Sequence, residues 1–376
     1  MRSYMKAWMF FCLLSSSYLC VAQDFAPDSV RNRKKITPVF NEIMGVGVFH
    51  ENDMLNFFAR NADDNYTGGL HLRLNTNINA LTIPLPFLRK EKIAQQYHSI
   101  GVAHTVFTPQ ELERSDIIVD DRPYASFQFI SYAIMTLLDD INSIVNLELN
   151  IGAMGKNFSR DFQTKIHREG WFGSTRPVPN GWQHQIANGG AFGINLHTGY
   201  QRYLYEYYKG KSKWGDNEYD VTKRFKPLYA AAVSELNVGN VLTNAAVGLQ
   251  LGLLNYNSIF GTHNPMDLIT VNSGQKEKNW RFNTSITLTP KVRYAFHNAY
   301  LTGELLGTES VTAVPQDKLY HVLFEYDAVA AVGARFKNKV ELSASYGMSG
   351  RSKEFSYQNK DFHHWGQLSL GLNYIL

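Results

Sequence analysis

Apolar and polar residues alternate with a period of two along most of the chain, and that period is typical of β-strands with one apolar face. The pattern is clearest in four stretches: 145–151 (VNLELNI), 247–253 (VGLQLGL), 340–346 (VELSASY) and 367–376 (QLSLGLNYIL). No segment shows the spacing of a convincing long helix, and no repeat of 20–50 residues is visible. The pattern therefore predicts an all-β protein.

About twelve segments carry this alternation. They centre near residues 43–52, 65–76, 98–107, 123–136, 142–154, 191–206, 227–238, 241–254, 282–303, 319–336, 338–348 and 364–376. The ninth segment contains Pro290, which cannot donate to a strand ladder, so we expect it to be kinked or wrongly bounded.

Two architectures bury one face of every such strand: a soluble sandwich or barrel, and a transmembrane barrel with its apolar face against lipid. Many of the segments approach the ~9–11 residues that a strand needs to cross a bilayer. The opposite faces carry charged and amide residues, including Arg73, Glu148 and Gln250. We therefore predict a twelve-stranded antiparallel transmembrane β-barrel.

Composition excludes several other classes. The 376 residues are 44% apolar and 19% charged, which excludes a disordered chain. The net charge of +4 gives no indication of a nucleic-acid binder. Beyond residue 22 no apolar run reaches the ~18 residues of a membrane helix.

The first residues read as a secretory signal peptide. A positive start with Arg2 and Lys6 precedes a short apolar stretch and small residues before Gln23. We predict a signal peptide over 1–22 and an outer-membrane barrel over 23–376. Both cysteines, Cys12 and Cys20, fall in the signal peptide, so cysteine chemistry and disulfides are not expected in the barrel.

An even strand number with both termini in the periplasm would bring three polar connections to the cell exterior: 53–64, 108–122 and 155–190. Connections 207–226 and 255–280 would be periplasmic, where their length is unexpected. The chain has no GxSxG, P-loop, HExxH or dinucleotide-binding motif. Its chemistry would have to come from residues that converge at the exterior rim.

Each rim motif has an ordinary structural explanation as a turn, an ion-paired loop end or part of an aromatic belt. Together they resemble the lipid A 3'-O-deacylase family. The motifs occur in the family's order: END (51–53), DNYTGG (64–69), FTP (107–109), DRPYA (121–125), HR (167–168) and WQHQI (182–186). Members of that family are twelve-stranded outer-membrane barrels with a calcium-dependent esterase site at the outer rim.

The resemblance implies a role for particular residues. His167 would be the general base, Asp53 a Ca²⁺ ligand, and Asn52 and Thr67 polar site residues. The family's catalytic lysine falls on Arg114, which keeps the charge. Further expected substrate contacts are Arg122, Trp182 and Gln185. The family's glutamate, six residues after the histidine, falls on Gly173, which leaves the full calcium ligand set open.

The function implied is calcium-dependent hydrolysis of an acyl ester of lipid A, the 3'-O-linked chain by resemblance, at the exterior face of the bacterial outer membrane. The expected partners are lipid A or lipopolysaccharide and the membrane, with no nucleic acid, in a monomer or a homodimer. The alternative is a non-catalytic barrel that acts as a surface-binding protein or a channel.

Overall fold

A computed structural model describes residues 43–55, 68–76, 83, 85, 93–138, 143–169, 177–207, 225–255, 280–305, 310–337 and 339–375. The predicted signal peptide, Thr67 and Gly173 lie outside these described residues. The predicted connections 207–226 and 255–280 lie almost wholly outside them as well.

The described chain forms one closed antiparallel barrel of twelve strands, as predicted. The strands are β1 (Ile43–Asn52), β2 (Gly68–Thr76), β3 (Ile93–Phe107), β4 (Ala125–Leu138), β5 (Ser143–Met154), β6 (Ala191–Tyr207), β7 (Phe225–Gly239), β8 (Leu242–Asn255), β9 (Trp280–Asn298), β10 (Val322–Phe336), β11 (Val340–Ser352) and β12 (Phe362–Ile375). Each strand pairs with its neighbours in sequence, and β1 closes the barrel on β12 with Ile43 opposite Ile375.

The alternating pattern places apolar side chains outside and polar side chains inside. On β12, Leu370 and Leu372 are about half exposed, whereas Ser369 and Asn373 are 2% exposed. A soluble sandwich or barrel would show the reverse arrangement. The exposed apolar band is the lipid-facing surface expected of a membrane barrel.

Ion pairs connect the walls inside the barrel. Arg73 on β2 contacts Glu148 on β5 at 3.0 Å, although the two strands are not neighbours. Lys291 lies between Glu235 at 2.9 Å and Asp327 at 2.7 Å. Paired charges of this kind occupy the interior and disfavour an open channel.

Pro290 is accommodated within β9 and does not end it. Its backbone position pairs with Tyr326 on β10. Towards β8, the register passes from the pair Gly248–Lys291 to the pair Leu251–Leu288, so no residue of β8 is paired with Pro290. The missing N–H thus falls where the ladder is already interrupted.

The ninth predicted segment extended too far, to residue 303. The strand ends at Asn298, whose side chain accepts a hydrogen bond from the backbone N–H of Tyr300 at 3.1 Å. This cap starts a short helix, α2 (Ala299–Thr302).

One longer helix was not predicted. Helix α1 (Asn157–Glu169) lies in the connection between β5 and β6. Its buried positions include Ser159, Gln163 and His167, which follow each other at intervals of four. The apolar residues Phe158, Phe162 and Ile166 recur at the same interval, but this stripe is short and the buried face beside it is polar, so the helical signal is weak. Within the described residues, no helix is both long and apolar enough to cross a membrane.

Candidate active site

The connections that follow the odd-numbered strands meet at one end of the barrel, which we call the site rim. The site rim includes the three connections expected from the sequence, together with 299–321 and 353–361. The motifs of the sequence analysis therefore do gather at one end, as far as the structure describes them.

Helix α1 lies against the outside of the barrel. The side chains of His104 on β3 and Gln128 on β4 have the same parity as Val102 and Ile130, which are 55% and 60% exposed on the lipid-facing surface. The register pairs His104 with Gln128. These two positions lie next to each other on the outer wall, one step nearer to the site rim than the apolar band.

Both outer-wall residues contact α1. The rings of Phe158 and Phe162 meet His104 edge-on, with centroids 5.7 and 5.4 Å away. The Gln128 amide donates a hydrogen bond to the Ser159 hydroxyl at 2.6 Å. The helix therefore covers the lipid-facing wall and does not cap the lumen.

His167 lies in the last turn of α1 and is buried. Its Nδ1 is 2.6 Å from the carbonyl oxygen of Pro177. A carbonyl can only accept, so Nδ1 carries the proton, and in the neutral ring Nε2 keeps a lone pair. This is the tautomer that a general base requires.

Trp182, an expected substrate contact, anchors the helix. Its indole N–H donates to the Gln163 carbonyl oxygen at 2.9 Å, and its ring packs on Tyr124 with centroids 4.8 Å apart. Tyr124 in turn donates to the carbonyl of Leu112 at 3.0 Å. Trp182 is 1% exposed, so in this structure it positions α1 from within a packed cluster.

Gln185 is buried in the same region. Its side-chain oxygen accepts a hydrogen bond from the Ser126 hydroxyl at 3.3 Å. The next backbone N–H, of Ile186, donates to the Tyr124 carbonyl at 2.8 Å. Gln185 therefore ties the segment after α1 to the start of β4.

Asn52 and Asp53 stand together at the end of β1. Asn52 pairs with Gly366 on β12, and Asp53 begins a 3-10 turn and is 4% exposed. Gly68 opens β2 beside them with φ +152°, and a Cβ there would lie 2.8 Å from the Glu51 carbonyl oxygen. Only glycine fits this close approach, which brings β2 up against the side chain of Asn52.

Arg114 lies in an exposed loop among carboxylates. Its guanidinium contacts Asp116 at 2.8 Å and approaches Glu111 and Asp120 at 3.6 Å. The hydrogen bonds that Arg114 donates to the Asp116 carboxylate raise the pKa of Arg114 and lower the pKa of Asp116. The charge of Arg114 is thus largely engaged within its own loop.

Arg122 is fully buried behind the site rim. It forms an ion pair with Glu354 from the connection between β11 and β12, and its guanidinium lies 4.7 Å above the Phe107 ring. Burial lowers the pKa of Arg122, so a paired carboxylate is needed to hold the charged form here. The sequence analysis expected Arg122 to contact the substrate. In this structure it instead links two rim connections through its ion pair, beside a cavity of about 260 Å³.

Two described residues carry the kind of oxygen atom that binds Ca²⁺. Asp53 and Asn52 offer the carboxylate and amide oxygens that Ca²⁺ prefers. Among the described residues, no group of three or more His, Asp and Glu side chains comes together in a way that could hold a metal ion. The sequence prediction of a calcium site therefore stays a prediction.

Comparison with known proteins agrees with the barrel. The sequence profile of the family described as outer membrane protein LpxR matches residues 8–374. Among solved structures, LpxR from Salmonella typhimurium matches with a TM-score of 0.60 and 17% identity, over 88% of this chain and 100% of that chain. At that identity the likeness bears on the fold.

The β-domain of the Bordetella autotransporter BrkA matches more weakly, with a TM-score of 0.41 and 11% identity over 89% of this chain and 100% of that chain. No curated protein matches by sequence. Since the family profile covers nearly the whole length, the chain belongs to the LpxR family of outer membrane proteins, the lipid A 3'-O-deacylase family that its rim motifs resemble.

Proposed function

We propose that the protein is a calcium-dependent hydrolase of the bacterial outer membrane that removes an ester-linked acyl chain from lipid A, the 3'-O-linked chain by family resemblance. One observation carries the proposal. His167 is held in the tautomer of a general base by the Pro177 carbonyl, 2.6 Å from Nδ1, on a helix that covers the lipid-facing wall.

The location of α1 supports a lipid substrate. An acyl chain can lie along exposed apolar side chains such as Ile100, Val102 and Ile130, which continue down the outer wall below the helix. An ester bond at the top of that chain then reaches the level of α1. A soluble substrate would gain nothing from a base on this side of the barrel.

In the reaction, His167 takes a proton from water through Nε2 as the water oxygen attacks the ester carbonyl carbon. The tetrahedral intermediate collapses with cleavage of the bond between that carbon and the sugar oxygen. The proton held by His167 passes to the leaving sugar oxygen. The products are a free fatty acid and a sugar hydroxyl, and the base is regenerated.

When bound, Ca²⁺ would supply Lewis-acid polarisation of the ester carbonyl, held by Asp53 with oxygen from Asn52. By resemblance, Asn52 and Thr67 also contribute polar contacts at the reacting centre, and Arg114 supplies a positive charge. Trp182, Gln185 and Arg122 act by fixing the connections that carry these groups.

The site rim would face the cell exterior. A short connection at the opposite end, 337–339, fits the short periplasmic turns of such barrels. That orientation brings His167 to the outer leaflet, where lipid A resides.

Mass spectrometry of lipid A from cells that express the protein tests this function. Wild type should remove one defined acyl chain, His167→Ala should remove none, and His184→Ala is the matched control because it changes a histidine in the same connection. Intact lipid A with wild type at confirmed surface expression would refute the proposal, as would full activity of His167→Ala.

A further inference from the structure

Two histidines stand in one row on the lipid-facing wall, and α1 covers one of them, His104. The register places His50 opposite Leu70, Leu70 opposite His104, and His104 opposite Gln128. The row therefore crosses β1, β2, β3 and β4 at one level, with polar side chains on three of the four strands.

Immediately below this row the outer wall is apolar. The next outward positions are Val48, Leu72, Val102 and Ile130, and all four are more than a third exposed. The row thus marks the level at which the wall changes from a surface suited to hydrocarbon to one with hydrogen-bonding groups.

The two imidazoles have hydrogen-bonding capacity to spare. His50 Nδ1 donates to the Gly69 carbonyl at 2.9 Å, which leaves Nε2 as an acceptor. His104 Nδ1 is buried and has no hydrogen-bond partner in the described part of the chain, so Nε2 is the ring nitrogen that a ligand can reach. With its proton on Nε2, the neutral His104 ring offers a ligand one hydrogen-bond donor.

Helix α1 packs on this row at His104 and Gln128. Phe162 and Phe158 cover His104, and Phe158 is itself 57% exposed. A chain that lies along the wall beside Phe158 meets the histidines at its polar end and the apolar band along its tail.

We propose that His50 and His104 are substrate-binding residues that hydrogen-bond the oxygen atoms at the head of an acyl chain. His104 Nε2–H donates to the ester carbonyl oxygen, and His50 Nε2 accepts from a neighbouring hydroxyl. This proposal rests on the proposed function and deepens it, because it sets the depth at which the ester lies. The ligand class is a glycolipid acyl ester that carries a hydroxyl close to the ester.

Binding of purified lipid A tests the proposal in a His167→Ala background, in which no turnover occurs. The dissociation constant is measured by native mass spectrometry of the full-length protein in detergent. Adding His104→Leu should weaken binding about tenfold, the effect of one lost hydrogen bond. Adding His104→Gln, which keeps a donor, should stay within about threefold.

The matched control is His98→Leu. His98 lies on the same face of β3, six residues (about 20 Å along the strand) from His104, and is hydrogen-bonded to the Tyr132 hydroxyl at 2.8 Å. The His98→Leu substitution should leave lipid A binding unchanged. Heat-modifiable migration in gels verifies that each barrel is folded.

The outcomes separate this proposal from the proposed function. Loss of binding with His104→Leu and rescue with His104→Gln support it, even if wild type proves inactive. Equal affinity in His104→Leu and the background variant overturns it, as does an equal loss in His98→Leu. If the background variant binds no lipid A, both proposals fail; if wild type deacylates lipid A while His104→Leu binds normally, only this one fails.

Discussion

The buried ion pair between Arg122 and Glu354 gives the sharpest prediction about how the site rim is held. Glu354 also accepts hydrogen bonds from Arg351 at 3.2 Å and from Asn298 at 3.4 Å. Arg351 has a second carboxylate, Glu325, at 2.6 Å and so keeps a counter-ion without Glu354. The carboxylate that Arg122 contacts is Glu354, although the charge of its neighbour Asp121 also favours the protonated guanidinium.

The substitution Glu354→Gln keeps the size of the side chain and removes its charge. It leaves the Arg122 guanidinium, whose side chain is 2% exposed, without its counter-ion. Breaking a buried pair in this way costs about 3–5 kcal/mol. If this cost lowers the free energy of locally opening the two rim connections, the lower value makes their amide hydrogen exchange ~100-fold faster.

Hydrogen exchange with mass spectrometry measures this effect peptide by peptide in the folded barrel. We expect faster exchange over 108–124 and 353–361, with little change in strands such as β12. In the double variant Arg122→Met/Glu354→Gln no unpaired charge remains, so exchange should return most of the way to the wild-type rate.

Unchanged exchange in Glu354→Gln would refute the structural role of the pair. If Arg122→Met raises the KM for lipid A and leaves hydrogen exchange at the wild-type rate, Arg122 contacts the substrate, as expected from the sequence.

Four further predictions follow from the same geometry. Gln163→Leu removes the acceptor of the Trp182 indole, so kcat should fall about tenfold while the barrel's thermal midpoint is retained. Arg114→Ala should lower kcat/KM by less than about tenfold in the same kinetic assay, because three carboxylates already engage that charge. Chelation with EGTA should abolish hydrolysis, with recovery on adding Ca²⁺ but not Mg²⁺, and Asp53→Asn should weaken the recovery. Planar-bilayer recordings should show no stable conductance, because ion pairs such as Lys291 with Glu235 occupy the lumen.

The barrel could be predicted from the sequence because each strand carries its own evidence. Segment 367–376 shows which face is apolar, and its length suits a bilayer, so neither inference needs a distant partner. Helix α1 could not be found in the same way. Its apolar stripe has only three residues, and the buried Ser159, Gln163 and His167 are polar, so the segment carries little of the apolar periodicity that predicts a helix.

The gathering of the rim motifs at one end of the barrel was predictable from the sequence, and the contacts of the individual residues were not. His167 came from family resemblance, and its base tautomer depends on a carbonyl ten residues away, at Pro177. Trp182 and Arg122 stand in rim motifs that suit ligand contacts, yet both are buried by packing. The partner of Arg122 is Glu354, 232 residues away, and the row containing His104 exists only through strand register.

The central claim is that His167 activates water against an acyl ester of lipid A. Its most direct test incubates purified wild type and His167→Ala with lipid A and Ca²⁺ in ¹⁸O-labelled water, followed by mass spectrometry of both products. The account predicts one ¹⁸O atom in the carboxylate of the released fatty acid, none in the sugar, and no release by the variant. Unchanged lipid A with wild type, or label in the sugar hydroxyl, would contradict it.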